Sequence, residues 1–242
     1  RVTRADGEVT VTRDGAERTL SVGDPILQDD LLQTGGDGKL AVRFADDSTF
    51  SLGPDGRMVI DEMVYTGSTG DSFAADVAEG AFSFVSGAIA KSGPDAATID
   101  TPAATVGIRG TSVAGAVRDG ELEIVLLRDP DGLIGEVTIY NGAGTEVLNL
   151  YRAGTRVADR FSPPEPPQIY TPERIETDFG DVIRTLTDLG VDPNALYSTE
   201  EDEGGDEGDQ PEGDDGKNPG DGADPDDQSV DEDARASLGE YL

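Results

Sequence analysis

The sequence predicts an all-β fold, an elongated two-layer sandwich or roll, followed by one amphipathic helix and a disordered acidic tail. Three observations carry this. Apolar residues alternate with polar ones at period two in segments of about five residues, which gives each strand one buried and one wet face. Such segments recur about every 8–12 residues, the spacing of sandwiches and barrels. Segments of helical period do not alternate with them, so a parallel α/β sheet is not expected. The 242 residues allow one or two domains, and with 7 Phe, 6 Tyr and no Trp the core has to be mainly aliphatic. The 32 Gly and 14 Pro call for many turns.

The β body is expected over residues 7–160. Val9 and Val11, then Leu20 and Val22, alternate with polar residues on either side of Asp14-Gly15, a pair that favours a tight hairpin because both positions tolerate positive φ. Leu40, Val42 and Phe44 repeat the alternation, Ala45-Asp46-Asp47-Ser48 reads as a turn, and Phe50, Leu52, Met58, Ile60, Phe82, Phe84 and Ile89 continue it. Glu121-Leu122-Glu123-Ile124-Val125-Leu126-Leu127 is the most apolar strand and is expected at the centre. Gly7-Glu8-Val9-Thr10-Val11 is echoed by Gly135-Glu136-Val137-Thr138-Ile139, each followed by a glycine turn. A single echo indicates two similar hairpins in one domain, since a solenoid needs at least about three repeats to bury a core.

Residues 161–198 change character. Ser162-Pro163-Pro164-Glu165-Pro166-Pro167 reads as an extended connector. Thr171 is placed as an N-cap with Pro172 at the first helical position. Ile175, Phe179, Val182, Ile183, Leu186 and Leu189 form one helical stripe, and Gly190 supplies a stop, so one helix is expected over 172–189. A helix of that length is marginal alone and has to dock on the β body or on a partner. Residues 199–242 form the acidic tail: between 200 and 233, 17 acidic residues stand against one lysine. A segment so poor in apolar residues cannot offset its ordering entropy and is expected to be disordered.

Composition excludes several function classes. Without Cys or His there is no disulfide, thiol nucleophile, Ser-His-Asp triad or thiolate or imidazole metal site. The net charge of −33 argues against nucleic acid and anionic membranes as partners. No apolar run approaches the roughly 20 residues needed to span a bilayer. The chain opens at Arg1 without Met and without a signal-peptide pattern. Asp224-Pro225-Asp226-Asp227 lacks the glycine of an EF-hand loop, so the tail reads as a solvated linker in preference to a calcium module. No phosphate-binding glycine loop, cofactor motif or catalytic constellation is present, and neither enzyme activity nor a cofactor is expected.

The most informative segment is Thr101-Pro102-Ala103-Ala104-Thr105-Val106-Gly107-Ile108-Arg109-Gly110-Thr111. Two glycines bracket Arg109, the only positive charge between Lys91 and Arg118. Before it, in order, come Gly23-Asp24, Leu31-Leu32-Gln33-Thr34-Gly35, Leu40-Ala41-Val42-Arg43-Phe44-Ala45-Asp46-Asp47-Ser48, Leu52-Gly53-Pro54, Glu79-Gly80 and Val85-Ser86-Gly87. Over roughly residues 7 to 115 this series resembles the FecR domain family of periplasmic or extracellular sensing modules.

The residues themselves place Gly107, Gly110 and Thr111 in a structural turn, with glycine φ angles closed to side chains. Arg109 is expected to pair with a local acid or carbonyl and fix the corner; its planar fork could instead bind an anion or a partner carboxylate. The resemblance implies a protein partner and a periplasmic, cell-surface or secreted location. Two functions stay open: a non-enzymatic binding or structural module of an envelope or secreted protein, and the sensing part of a transmembrane sigma-factor regulator.

Overall fold

The computed structural model describes residues 1–68, 70–93, 96–187 and 190–198. The predicted disorder of the acidic tail and the stripe position Leu189 lie outside them. In chain order the strands are β1 (Val2–Asp6), β2 (Val9–Arg13), β3 (Ala16–Thr19), β4 (Leu31–Thr34), β5 (Lys39–Arg43), β6 (Thr49–Leu52), β7 (Arg57–Val64), β8 (Ser72–Val85), β9 (Ala97–Asp100), β10 (Thr105–Arg109), β11 (Ser112–Arg118), β12 (Glu121–Leu127), β13 (Glu136–Asn141), β14 (Gly144–Leu148), β15 (Ala153–Val157) and β16 (Gln168–Ile169). The helices are α1 (Ala88–Ser92), α2 (Pro172–Thr185) and α3 (Pro193–Tyr197). The fold is all-β with α2 as its main helix, as the alternation predicts.

The strands form two sheets that share β8. One sheet runs β3-β2-β4-β7-β8-β9-β10-β13-β14 and the other β1-β5-β6-β8-β11-β12-β15-β16. β8 pairs with β7 and β9 through its first half and with β6 and β11 through its second, turning at Gly80, where φ is +98°. A Cβ there would lie 2.6 Å from the Gly56 Cα, so the bend requires glycine on two counts. All pairs are antiparallel except β8 with β9. The two echoed segments are hairpins at opposite edges of the first sheet, β2–β3 and β13–β14. The first turns on Asp14 and Gly15 with φ of 52° and 77°, the angles the Asp-Gly pair anticipates.

The inward faces meet in one core, Val9, Val11, Leu32, Met58, Ile60, Ile99, Val106 and Ile139 from the first sheet against Leu40, Val42, Phe50, Leu52, Phe82, Val113, Ile124 and Leu126 from the second. Phe73 stacks on Phe84 with ring centroids 5.4 Å apart. β12 is flanked by β11 and β15. From Ile124 to Leu127 the strand is apolar because both faces are covered: Leu122, Ile124 and Leu126 enter the main core, while Val125 and Leu127 enter a second core under α2.

α2 lies on the outer face of the second sheet, which answers whether the helix docks on the body. Thr171 caps it by accepting from the Arg174 N–H at 3.2 Å, and Ile175, Phe179, Val182, Ile183 and Leu186 are buried against Ala114, Ala116, Val125 and Leu127. Small residues on that face allow close approach. The Ser51 hydroxyl donates to the Val182 carbonyl at 2.8 Å, and a Cβ on Gly53 would sit 2.9 Å from Val182 Cγ1.

Three expectations are corrected. Val22 is 66% exposed and outside any strand; the chain turns away at Gly23, where φ is +95°. Ile89 is buried on α1 and not on a strand, because the Asp46 turn caps a helix there. α2 ends at Thr185 with Leu186 as its cap, ahead of Gly190. Gly190 has φ of +79° but follows the helix by several residues, and α3 starts soon after it with its own Asp192 cap. The proline connector lies outside the strands, tied to β15 where the Glu165 N–H donates to the Arg156 carbonyl at 2.9 Å.

Candidate functional site, the Arg109 corner

Several of the motif segments meet where β10 turns into β11. The Asp46-Asp47-Ser48 turn, with Asp47 at φ +67°, folds beneath the start of α1. The Asp46 carboxylate accepts from the Ser48 hydroxyl at 2.5 Å and from the Ile89 N–H at 3.2 Å, and the Asp46 carbonyl accepts from the Ala88 N–H at 2.9 Å. These bonds supply the N-terminal partners that α1 would otherwise lack. Gly87 has no room for a side chain: a Cβ would press on the Ser48 nitrogen and lie 2.5 Å from the Asp46 carbonyl oxygen.

The far end of α1 touches the corner itself. The Gly110 N–H donates to the Ala90 carbonyl at 2.9 Å, and Gly110 carries φ of +57°. Lys91 Nζ lies 2.8 Å from Asp129 and 2.9 Å from Asp131. Asp129 is buried and also accepts from the Ser86 and Ser112 hydroxyls at 2.8 and 2.7 Å. Thr111, buried, donates to the Leu127 carbonyl at 2.7 Å. Burial works to lower the Lys91 pKa, but the hydrogen bonds to Asp129 and Asp131 outweigh it and hold it above the ordinary value. The same lysine holds the Asp131 carboxyl below the usual range.

Arg109 stands on this frame with its side chain exposed and without a hydrogen bond or ion pair among the described residues. The expected anchoring partner is therefore absent there; the corner is fixed by Lys91, Asp129 and Thr111. Gly107 is not part of the turn either. It lies in mid-β10 opposite Thr98 and Thr138, without positive φ. Gly110 and Thr111 do sit at the turn. Sequence reasoning missed Gly135: a Cβ there would run into the Arg109 carbonyl and lie 2.5 Å from that of Gly110. Its signal was the echoed Gly-Glu-Val-Thr segment. Beside it, Leu133 and Ile134 are 62% and 42% exposed. The corner thus offers one unengaged guanidinium next to aliphatic surface, opposite Glu136 in the strand register.

A second group of motif residues closes the other end of the sandwich. The Thr34 hydroxyl donates to the Gly53 carbonyl at 2.5 Å and accepts from the Gly56 N–H at 2.7 Å, and the Asp55 N–H donates to the Gly35 carbonyl at 3.1 Å. These residues fix turns and carry no reactive group.

Residues 30–129 match the family model described as FecR protein. This stretch is similar to FecR domains. It starts after the Gly23-Asp24 segment and runs past residue 115 to Asp129, the carboxylate that ties Ser86 and Ser112 to Lys91. The matched stretch therefore includes β12 and the Lys91, Thr111 and Asp129 frame of the corner. Two crystal structures of a protein from Parabacteroides distasonis ATCC 8503, described as a "putative anti-sigma factor", align with a TM-score of 0.44 and 16% identity. The alignment covers 57% of this chain and 59% of theirs, so the chain spans less than two thirds of their length. No curated protein matches the chain. Among the described residues no helix is long and apolar enough to cross a membrane, and no group of three or more acidic residues is placed to hold a metal ion.

Proposed function

We propose that this chain is a non-enzymatic, FecR-type binding module of a bacterial envelope or secreted protein, and that its Arg109 corner receives a protein partner. One observation carries the proposal: the exposed Arg109 guanidinium has no partner among the described residues, although the frame beneath it is densely hydrogen-bonded. A planar fork beside exposed Leu133 and Ile134 suits a carboxylate set in an apolar partner surface. The FecR match supports a location in the periplasm, at the cell surface or outside the cell. Arg109→Glu tests the proposal. It should leave the fold intact and abolish the partner contact, read by photo-crosslinking at the corner in intact cells.

The FecR match also favours a second reading, in which the module is the sensing part of a transmembrane sigma-factor regulator. Expression of genes dependent on an alternative sigma factor separates the two. Under the second reading Arg109→Glu changes that expression, and under the first it does not.

A further inference from the structure

We infer that Arg128, Tyr151 and Arg152 form an anion site for a carboxylate on an otherwise uncharged, apolar-flanked peptide segment. The site lies at the end of β12 and the start of β15. The Arg128 guanidinium carbon is 4.6 Å from the centre of the Tyr151 ring, and that of Arg152 is 5.2 Å from it. One aromatic ring therefore gathers two positive charges. In a chain with 51 acidic and 18 basic side chains, carboxylate partners for a cation are plentiful. Arg13, Arg18, Arg43, Arg156, Arg174 and Arg184 each pair with one. Neither Arg128 nor Arg152 makes an ion pair or side-chain hydrogen bond among the described residues.

Two further observations concern Arg152 alone. Its Nε is buried without a hydrogen-bond partner. A buried N–H left unmade is costly, and in native structures it commonly marks a position that a ligand or water completes. Its backbone is left-handed, φ +62°, which a long side chain adopts only when its surroundings hold it there. Here the Arg152 N–H donates to the Leu126 carbonyl at 3.1 Å and its carbonyl accepts from the Tyr170 N–H at 2.8 Å. The backbone is clamped on both sides while the guanidinium is left without an acceptor.

The chemistry of the ligand follows from what surrounds the pair. Leu150 precedes Tyr151 and is 63% exposed; Ile169, in register with Ala153, is 56% exposed. These fit an apolar side chain next to the bound carboxylate. The net charge of −33 repels polyanions at long range, which disfavours a phosphate-rich ligand and leaves a single carboxylate as the group two arginines hold best.

The test uses the full chain and follows the arginine Nε–Hε signals by NMR at about 0.15 M salt. The probes are N-acetyl-leucine, which joins a carboxylate to an isobutyl group, its uncharged amide, and inorganic phosphate. N-acetyl-leucine should shift the Arg128 and Arg152 signals saturably, and the amide should not. Arg128→Gln should weaken binding at least about tenfold, the loss of one charge-assisted pair. So should Arg152→Asn, which removes the charge and suits the left-handed angle. Arg118→Gln, at an exposed arginine elsewhere, should leave binding unchanged. The inference is overturned by shifts that do not saturate, by binding that survives both substitutions, or by phosphate binding as tightly as N-acetyl-leucine.

Discussion

Arg174 on α2 reaches across to Glu123 on β12, with Nη2 2.6 Å from Oε1, while Arg156 on β15 holds the other carboxylate oxygen at 3.0 Å. The Arg174 guanidinium lies 3.5 Å from the Tyr170 ring centre. One buried carboxylate thus ties the helix to two neighbouring strands. Burial pushes the Glu123 pKa up, but the two guanidiniums outweigh it and the net shift is downward. A depressed carboxylate pKa stabilises the fold above the unfolded value of 4.5 and ceases to do so as pH falls through the folded value. Glu123→Ala should cost about 1.5–3 kcal/mol at neutral pH, the loss of the hydrogen bonds to a buried charged group, while Arg156 and Arg174 keep Glu121 and Asp178 as neighbours. The variant should also lose less stability than the parent between pH 4.5 and lower values, measured by urea unfolding across that range.

The helix is held by packing as well. Phe179→Ala empties a fully buried site between α2 and the second sheet and should cost about 3–5 kcal/mol. Calorimetry checks this; a loss below about 1 kcal/mol would mean that α2 is not seated as described.

At the corner, backbone demands exceed side-chain ones. Gly110→Val places a β-branched residue at φ +57° and should cost about 1–3 kcal/mol, while Arg109→Ala should cost close to nothing. Gly135→Ala should be worse than Gly110→Ala, since its Cβ meets the Arg109 carbonyl whereas that of Gly110 has only Lys91 Cγ at 3.9 Å. Melting temperatures of the four variants give the order, and equal values for Gly110→Val and Arg109→Ala would contradict it.

The exposed face of the first sheet carries an opposing acid response. Asp76 and Asp100 are register neighbours on β8 and β9. Burial, then the Asp100 charge, raises the Asp76 pKa, and burial, then Asp76, raises that of Asp61. A raised carboxylate pKa lowers stability as pH rises from the unfolded value of 3.8 through the folded one. Asp76→Asn should therefore stabilise the protein at neutral pH, by about 0.2–1 kcal/mol, and make little difference below pH 3.8. Thermal melts of the two proteins at both pH values decide it.

Much of this fold was legible because it rests on local rules. Alternation in Val9–Val11, Leu40–Val42 and Phe82–Phe84 placed the strands, Asp14-Gly15 placed a hairpin, and Thr171-Pro172 placed the start of α2. What failed were features set by distant residues. Ile89 looks like a strand position until Asp46, 43 residues earlier, caps a helix over it. Gly107 and Gly110 look alike in sequence, yet only Gly110 turns, because the β10 pairing with β9 and β13 runs through Gly107. The corner was located by its motif, but its frame was not, since Lys91, Ser86 and Asp129 are brought together only by folding. Gly135 was marked only as part of the echoed segment, because its own constraint, the Arg109 carbonyl, lies on another strand.

The most direct test of the proposed role places a photo-crosslinking residue at Glu136, exposed and opposite Arg109 in the register, in intact cells of the protein's own host. The account predicts one discrete adduct that disappears when Arg109→Glu is added while the melting temperature of the purified protein stays unchanged. An adduct that persists after Arg109→Glu, or no adduct at all, would contradict it.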